Sequence, residues 1–69
     1  MTDNVYKTIE LYGSSKVGIE QAIQNALSKA SGTIREMRWF EMVEVRGQIA
    51  DGAVAVWQVG VKIGFTLDG

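Results

Sequence analysis

The chain of 69 residues contains no cysteine and no histidine. Disulfide bonds, thiolate nucleophiles and imidazole bases are therefore excluded, and a metal site would have to be built from carboxylates alone. No stretch approaches the roughly 18 to 20 apolar residues of a membrane span, and the opening MTDNVYKTIE is too polar for a secretory signal. We therefore expect a cytoplasmic protein without a membrane partner.

The charge of the chain is nearly balanced, with seven Lys and Arg against eight Asp and Glu and a net charge of -1. This balance does not indicate nucleic acid as a partner. The 46% hydrophobic content is typical of a globular chain, and we expect one domain over residues 1–69. Because a chain this short has neither a disulfide nor a structural metal to stabilise it, assembly with other copies is the expected source of further burial.

The pattern of apolar residues predicts the order β-α-β-β. The segment VYKTIEL over residues 5–11 alternates as a strand does. The run Gly13 to Ser15 is expected to end this strand, with Ser14 or Ser15 capping a helix that begins near residue 16. Apolar residues then recur at steps of three and four, and Gly32 is expected to end a helix of about 16 residues.

Two further strands, WFEMVEVRGQI and AVAVWQVGVKIGFTL, are predicted on either side of a hairpin turn at Asp51 and Gly52. Their apolar residues, with Val43, Val45 and Ile49 in the first strand, are expected to face the helix. The other face is expected to be polar and to include Glu44, Arg46, Gln48, Gln58 and Lys62. The prediction is an α+β fold in which a three-stranded antiparallel sheet is wrapped around one amphipathic helix.

Few residues are suited to catalysis. The residues Ser14, Ser15 and Lys16 are explained by the start of a helix, and a regular strand would place Glu41 and Glu44 on opposite faces. No glycine-rich segment has Walker or Rossmann spacing. We therefore expect no enzymatic activity.

Two side chains are candidates for binding a planar ligand. Trp39 lies at the start of a strand and can stack on a flat ring, although pattern alone favours a role in closing the end of the core. Gln58 carries an amide that can donate and accept hydrogen bonds at the same time, as the edge of a heterocycle requires, or it is an ordinary surface residue. Trp57 alternates with apolar residues and is expected in the core.

Four segments, VYKTIELYGSS, IEQAIQNALSKAS, RWFEMVEVRGQIADG and WQVGVKIGFTL, together resemble the dodecin family across nearly the whole chain. The most specific matches are Trp-Phe-Glu at residues 39–41, Glu-Val-Arg-Gly at 44–47 and Trp-Gln-Val at 57–59. The resemblance implies a β-α-β-β protomer that assembles into a hollow homododecamer. It also implies that flavins, either riboflavin or FMN, bind in pairs at subunit interfaces.

The resemblance implies roles for individual residues. Trp39 would stack on the isoalloxazine ring, with the tryptophan of a second subunit closing the other side, and Gln58 would bind the pyrimidine edge. The positions matching the surroundings of the ring or ribityl chain are Glu44, Arg46 and Gln48, and Arg38 is a further candidate. The sequence departs from many relatives at Trp57, where they have Tyr, and from several at Gln48, where they carry His.

The implied function is storage, buffering or photoprotection of flavin, because an indole in contact with a flavin quenches its excited state. Bacterial members of the family also bind coenzyme A, to which the resemblance assigns no residue of this chain. One alternative is a structural or interaction shell that takes another small molecule such as coenzyme A. Another is a flavin reductase, which the lack of a recognisable nicotinamide site disfavours.

Overall fold

A computed structural model describes residues 3–67. The chain forms β1 (Tyr6–Ser15), α1 (Ile19–Ala30), β2 (Met37–Ala50) and β3 (Ala53–Thr66). The strands make one antiparallel sheet in the order β1-β3-β2, so the last strand is the central one. Between residues 3 and 67, no helix has both the length and the apolar character needed to cross a membrane. The predicted α+β fold with β-α-β-β order is confirmed.

The turn between β2 and β3 lies where it was predicted. Ala50 pairs with Ala53, and the two residues between them have positive φ angles, 52° at Asp51 and 77° at Gly52. A two-residue hairpin of type I′ requires positive φ at both central positions, because its twist then matches that of the strands. Asp tolerates this conformation better than most residues, and Gly adopts it without a steric cost.

The connection between β1 and α1 differs from the prediction. The strand continues through Gly13 to Ser15, and the helix begins only at Ile19, after Gly18 and without a side-chain cap. The Ser15 hydroxyl instead accepts a hydrogen bond from the backbone N–H of Val17 at 2.9 Å. The predicted serine cap is wrong because the backbone as far as Ser15 pairs with β3, and this long-range pairing overrides the local turn preference of the segment.

The core lies between α1 and the middle of β3. Its buried hydrophobic side chains are Ala22, Ala26, Ala30, Val59, Val61 and Ile63. Because the helix contributes only alanines to this set, it approaches the sheet closely. A Cβ atom at Gly13 of β1 would overlap the backbone carbonyl oxygen of Ala22. The absence of a side chain at Gly13 therefore allows α1 to lie directly on β1.

The strand β2 does not keep a regular alternation, because its pairing with β3 shifts at three places. One shift lies between Met42 and Glu44 and leaves Val43 without a pair, and another lies between Gln48 and Ile49. Val45 lies opposite Val59 as predicted, but Val43, Val45 and Ile49 are all exposed, and Ile49 is 78% exposed. The predicted apolar face is interrupted at Val43, the unpaired residue of the bulge, whereas Val45 and Ile49 lie on the same side as Trp57 and line one groove with it.

Candidate functional site

The face of the sheet that points away from α1 carries most of the predicted site residues. We call the face that points away from α1 the outer face. Because residues paired across neighbouring strands share a face, the register shows which residues lie on it. Register places on it Tyr6, Thr8, Glu10 and Tyr12 of β1, Trp39, Glu41, Glu44 and Arg46 of β2, and Gln58, Gly60, Lys62, Gly64 and Thr66 of β3.

Trp39 lies across Gly64, its partner on β3. A Cβ atom at Gly64 would overlap three carbons of the indole, Cε2, Cζ2 and Cη2. The ring of Tyr6 packs edge-on against the indole, with centroids 5.1 Å apart and planes at 71°. The indole is therefore supported from below and from the side, while 43% of Trp39 stays exposed. This is a flat surface on which a planar ligand can stack, and not a residue of the core.

Arg38 lies at the same end of the sheet as Trp39, and its guanidinium bonds to two side chains of the same chain. Its Nε donates a hydrogen bond to Thr66 Oγ1 at 3.0 Å, and its Nη2 donates to Glu36 Oε2 at 2.6 Å. The ion pair is exposed and contributes little to stability. Together the two contacts hold the Arg38 guanidinium between Thr66 and Glu36.

A second set of side chains forms a connected network farther along the outer face. We call it the Tyr12 cluster, and its members are Tyr12, Glu44, Arg46 and Gln58. The Tyr12 hydroxyl donates to Glu44 Oε1, and the guanidinium carbon of Arg46 lies 5.0 Å from the Tyr12 ring centroid. Arg46 Nε donates to Gln58 Oε1 at 3.0 Å. The hydrogen bond to Glu44 is the largest cause of a raised pKa at Tyr12, because the ionised phenol would lose it.

The β-bulge at Val43 places Glu41 on the same face as Glu44. A regular strand would place Glu41 and Glu44 on opposite faces, but the structure pairs Glu41 with Lys62 and Glu44 with Gly60. Both carboxylates therefore lie on the outer face, contrary to the prediction. One extra residue in β2 is the physical reason.

Tyr12 is the site residue that sequence reasoning missed. Its ring lies over Gly60, where an added Cβ would be 3.0 Å from Cε2 and Cζ of the ring. The hydroxyl then reaches Glu44, so one side chain of β1 contacts β2 across the central strand. The available signal was Gly60, because glycine inside a strand indicates a close approach. The identity of the approaching group depends on the strand order, which the local pattern does not contain.

Gln48 and Trp57 lie closer to the hairpin. They line a shallow groove of about 300 Å³ together with Val45, Ile49 and Val54. Trp57 is half-buried, so its predicted place in the core is only partly right. The expected ligand role of Gln48 stays a prediction.

Trp39 and Gln58 are not brought together within one chain. Trp39 lies on Gly64, and the positions of Gly64 and Gln58 are about 20 Å apart along β3 at roughly 3.3 Å per residue. Lys62 lies between them, opposite Glu10 on one side and Glu41 on the other. Each chain therefore carries two separate groups, the stacking surface at Trp39 and the Tyr12 cluster.

Comparison with known proteins gives a consistent result across the whole described fold. The family model for dodecin matches residues 5–68, and a dodecin from Thermus thermophilus is 47% identical over 64 residues, 93% of each chain. The structure of dodecin from Streptomyces coelicolor is similar with a TM-score of 0.93 and 49% identity, covering 100% of this chain and 99% of that one. Dodecin from Streptomyces davaonensis has a TM-score of 0.92 and 46% identity, covering 99% and 100%. The chain belongs to the dodecin family.

Proposed function

We propose that this protein binds riboflavin or FMN in the cytoplasm and stores, buffers or photoprotects it without turning it over. The observation that carries the proposal is the indole of Trp39, laid across Gly64, packed by Tyr6 and left 43% exposed. An isoalloxazine gains dispersion and loses contact with water when it stacks on such a surface. Membership of the dodecin family, which is not an enzyme family, supports the same conclusion.

The distance between Gly64, on which the Trp39 indole lies, and Gln58 favours a site shared by two subunits. The two positions are about 20 Å apart along β3, well beyond the length of an isoalloxazine ring. We therefore place the flavin at an interface, with Trp39 from one subunit and the Tyr12 cluster from another. A second Trp39 would close the far side of a flavin pair.

Assembly into a homododecamer is part of the proposal, and the exposed apolar surface supports it. A soluble monomer seldom exposes a contiguous patch of large apolar side chains, and exposed apolar residues are neighbours at two places here, Ile49 opposite Val54 and Val5 beside Leu67. Those exposed on this chain, apart from the aromatic residues of the outer face, include Val5, Val17, Val43, Ile49, Val54 and Leu67. Contacts between copies would cover such side chains and supply the burial that the small core lacks.

The polar groups have complementary tasks in this site. The amide of Gln58 would bind the pyrimidine edge of the flavin, whose carbonyl groups accept and whose imide N–H donates. Arg46 and Glu44 would lie beside that edge, and Arg38 and Gln48 would lie farther out. The Trp39 indole, in contact with the excited flavin, would donate an electron to it and quench its fluorescence.

The test is a titration of the purified protein with riboflavin and, separately, FMN, followed by flavin fluorescence and by light scattering for particle size. We expect the flavin fluorescence to be quenched up to about one flavin per chain. Light scattering should show a particle the size of a dodecamer. Trp39→Ala should keep the particle and lose most of the quenching. Trp57→Phe is the matched control, because it removes the other indole and should quench as the wild type does.

Three outcomes would contradict the proposal in different ways. A folded oligomer that leaves both flavins fluorescent would favour the alternative, a shell that binds another small molecule such as coenzyme A. Equal quenching by Trp39→Ala and the wild type would remove the stacking role. Steady consumption of NADH in the presence of flavin would indicate a reductase.

A further inference from the structure

The Tyr12 ring has a fixed place on the outer face. It lies over Gly60, where the nearest ring carbons are 3.0 Å from the position a Cβ would take, and its hydroxyl donates to Glu44. The ring is thus held at its base by β1, beneath its plane by β3 and at its tip by β2. A tyrosine held at three points can serve as a rigid support for another group.

Arg46 is the group that this support holds. Its guanidinium carbon is 5.0 Å from the Tyr12 centroid, and its Nη1 is 4.0 Å from Glu44 Oε1. An exposed arginine samples many rotamers, and stacking on an aromatic face beside a carboxylate restricts it. Glu44 Oε1 also accepts the hydrogen bond from the Tyr12 hydroxyl. The Tyr12 ring and the Glu44 carboxylate, which are bonded to each other, therefore both restrict the Arg46 guanidinium.

Arg46, restricted in this way, sets the orientation of the Gln58 side-chain amide. An amide can rotate by half a turn and exchange its oxygen and nitrogen. Arginine has donors only, so the hydrogen bond from Arg46 Nε at 3.0 Å commits Gln58 Oε1 to that side. The amide then keeps one orientation towards a ligand. Its Nε2 group can donate to a ligand carbonyl, and the remaining lone pair of Oε1 can accept from a ligand N–H.

We propose that Tyr12 is a positioning residue that, through Glu44 and Arg46, sets the orientation of the Gln58 amide and so selects the edge of the bound heterocycle. This inference rests on the proposed function for its ligand, because the selected edge is that of a flavin. It assigns to Tyr12 no contact with the ligand. Tyr12 acts on the Gln58 amide through Glu44 and Arg46, so most of its effect should depend on the presence of Gln58.

A double-mutant cycle tests this dependence. Riboflavin affinity is measured by fluorescence quenching for the wild type, Tyr12→Leu, Gln58→Ala and the double variant, with light scattering to verify the particle. Tyr12→Leu removes the ring and the hydroxyl and should weaken binding by on the order of 5-fold in the wild-type background. In the Gln58→Ala background its effect should be much smaller. Tyr12→Phe keeps the ring over Gly60, should lose less, and replaces Tyr12→Leu if that variant does not assemble.

A crystal structure of the ligand-free variant provides a readout that does not depend on flavin. The hydrogen bond between Arg46 and Gln58 should be broken or the amide disordered in Tyr12→Leu. Persistence of that bond overturns the proposal, as does an equal loss of affinity with and without Gln58. If the wild type binds no flavin, the proposed function fails, while the geometry of Gln58 in the variant still decides the role of Tyr12.

Discussion

Gly60 and Gly64 of β3 each lie beneath an aromatic ring, but the two rings are held by different forces. The indole over Gly64 is held by van der Waals contact and by the edge of Tyr6. The phenol over Gly60 is held by a carboxylate and carries a guanidinium. In both places a glycine of the central strand provides the recess in which the ring lies. The groups that surround the ring then determine whether it serves as a stacking surface or as a support for polar groups.

The largest effect is expected from Gly64→Ala. The new methyl group would overlap the indole of Trp39, which is rigid and flanked by Tyr6, so the indole must leave its place. We expect a loss of about 1–3 kcal/mol in the free energy of unfolding, typical of overpacking, and at least a 10-fold loss of flavin affinity. Chemical denaturation and fluorescence titration measure the two quantities.

The matched control for Gly64→Ala is Gly18→Ala. A Cβ at Gly18 meets no atom within 4 Å, and its φ of 170° is extended backbone that alanine also adopts. This variant should bind flavin as the wild type does. A normal affinity in Gly64→Ala would show that the recess beneath Trp39 is not needed for stacking.

A smaller effect is expected from Gly60→Ala. Its methyl group would lie 3.0 Å from the Tyr12 ring, a tight contact that a shift of the ring by a few tenths of an ångström relieves. We expect less than about 1 kcal/mol of destabilisation and a loss of affinity below that of Gly64→Ala. The same two assays measure it. The reverse order of the two alanine variants would contradict the difference between a ring that the new methyl group overlaps and a ring that it only approaches closely.

The smallest effect concerns the dependence of stability on pH. The hydrogen bond to Glu44 raises the pKa of Tyr12 above its ordinary value of about 10. The folded state therefore favours the protonated phenol, and its stabilising contribution is complete below pH 10 and lost as the pH rises through the folded pKa. Urea denaturation above pH 10 should show a steeper loss of stability in the wild type than in Tyr12→Phe. Parallel losses would indicate that the phenol is not coupled to Glu44 in solution.

The elements of the fold are predictable from the sequence because their signals are local. Alternation gives the strands, three- and four-residue spacing gives the helix, and Asp51 with Gly52 gives the hairpin. The start of α1 was misplaced since Ser15 is held by its pairing with Trp57, distant in the chain. A local preference for a turn is weaker than a row of backbone hydrogen bonds.

The site is predictable only in part, for a related reason. Trp39 and Gln58 can be selected by residue type, but their separation along β3 depends on the register. The Tyr12 cluster depends on the central position of β3, while its members Glu44, Arg46 and Gln58 lie on the predicted polar face; the bulge at Val43 adds Glu41 to that face. A one-residue insertion in a strand leaves no clear mark in an apolar pattern as short as that of β2.

The central position of β3 has a consequence for the order of events during folding. The hairpin of β2 and β3 closes through a two-residue turn and can form quickly, whereas the pairing of Tyr6 with Thr66 joins opposite ends of the chain. Contacts so distant in sequence slow the search for the native state. Until β1 docks, β3 presents an unpaired edge flanked by apolar residues, so a newly made chain is most prone to aggregate in that interval.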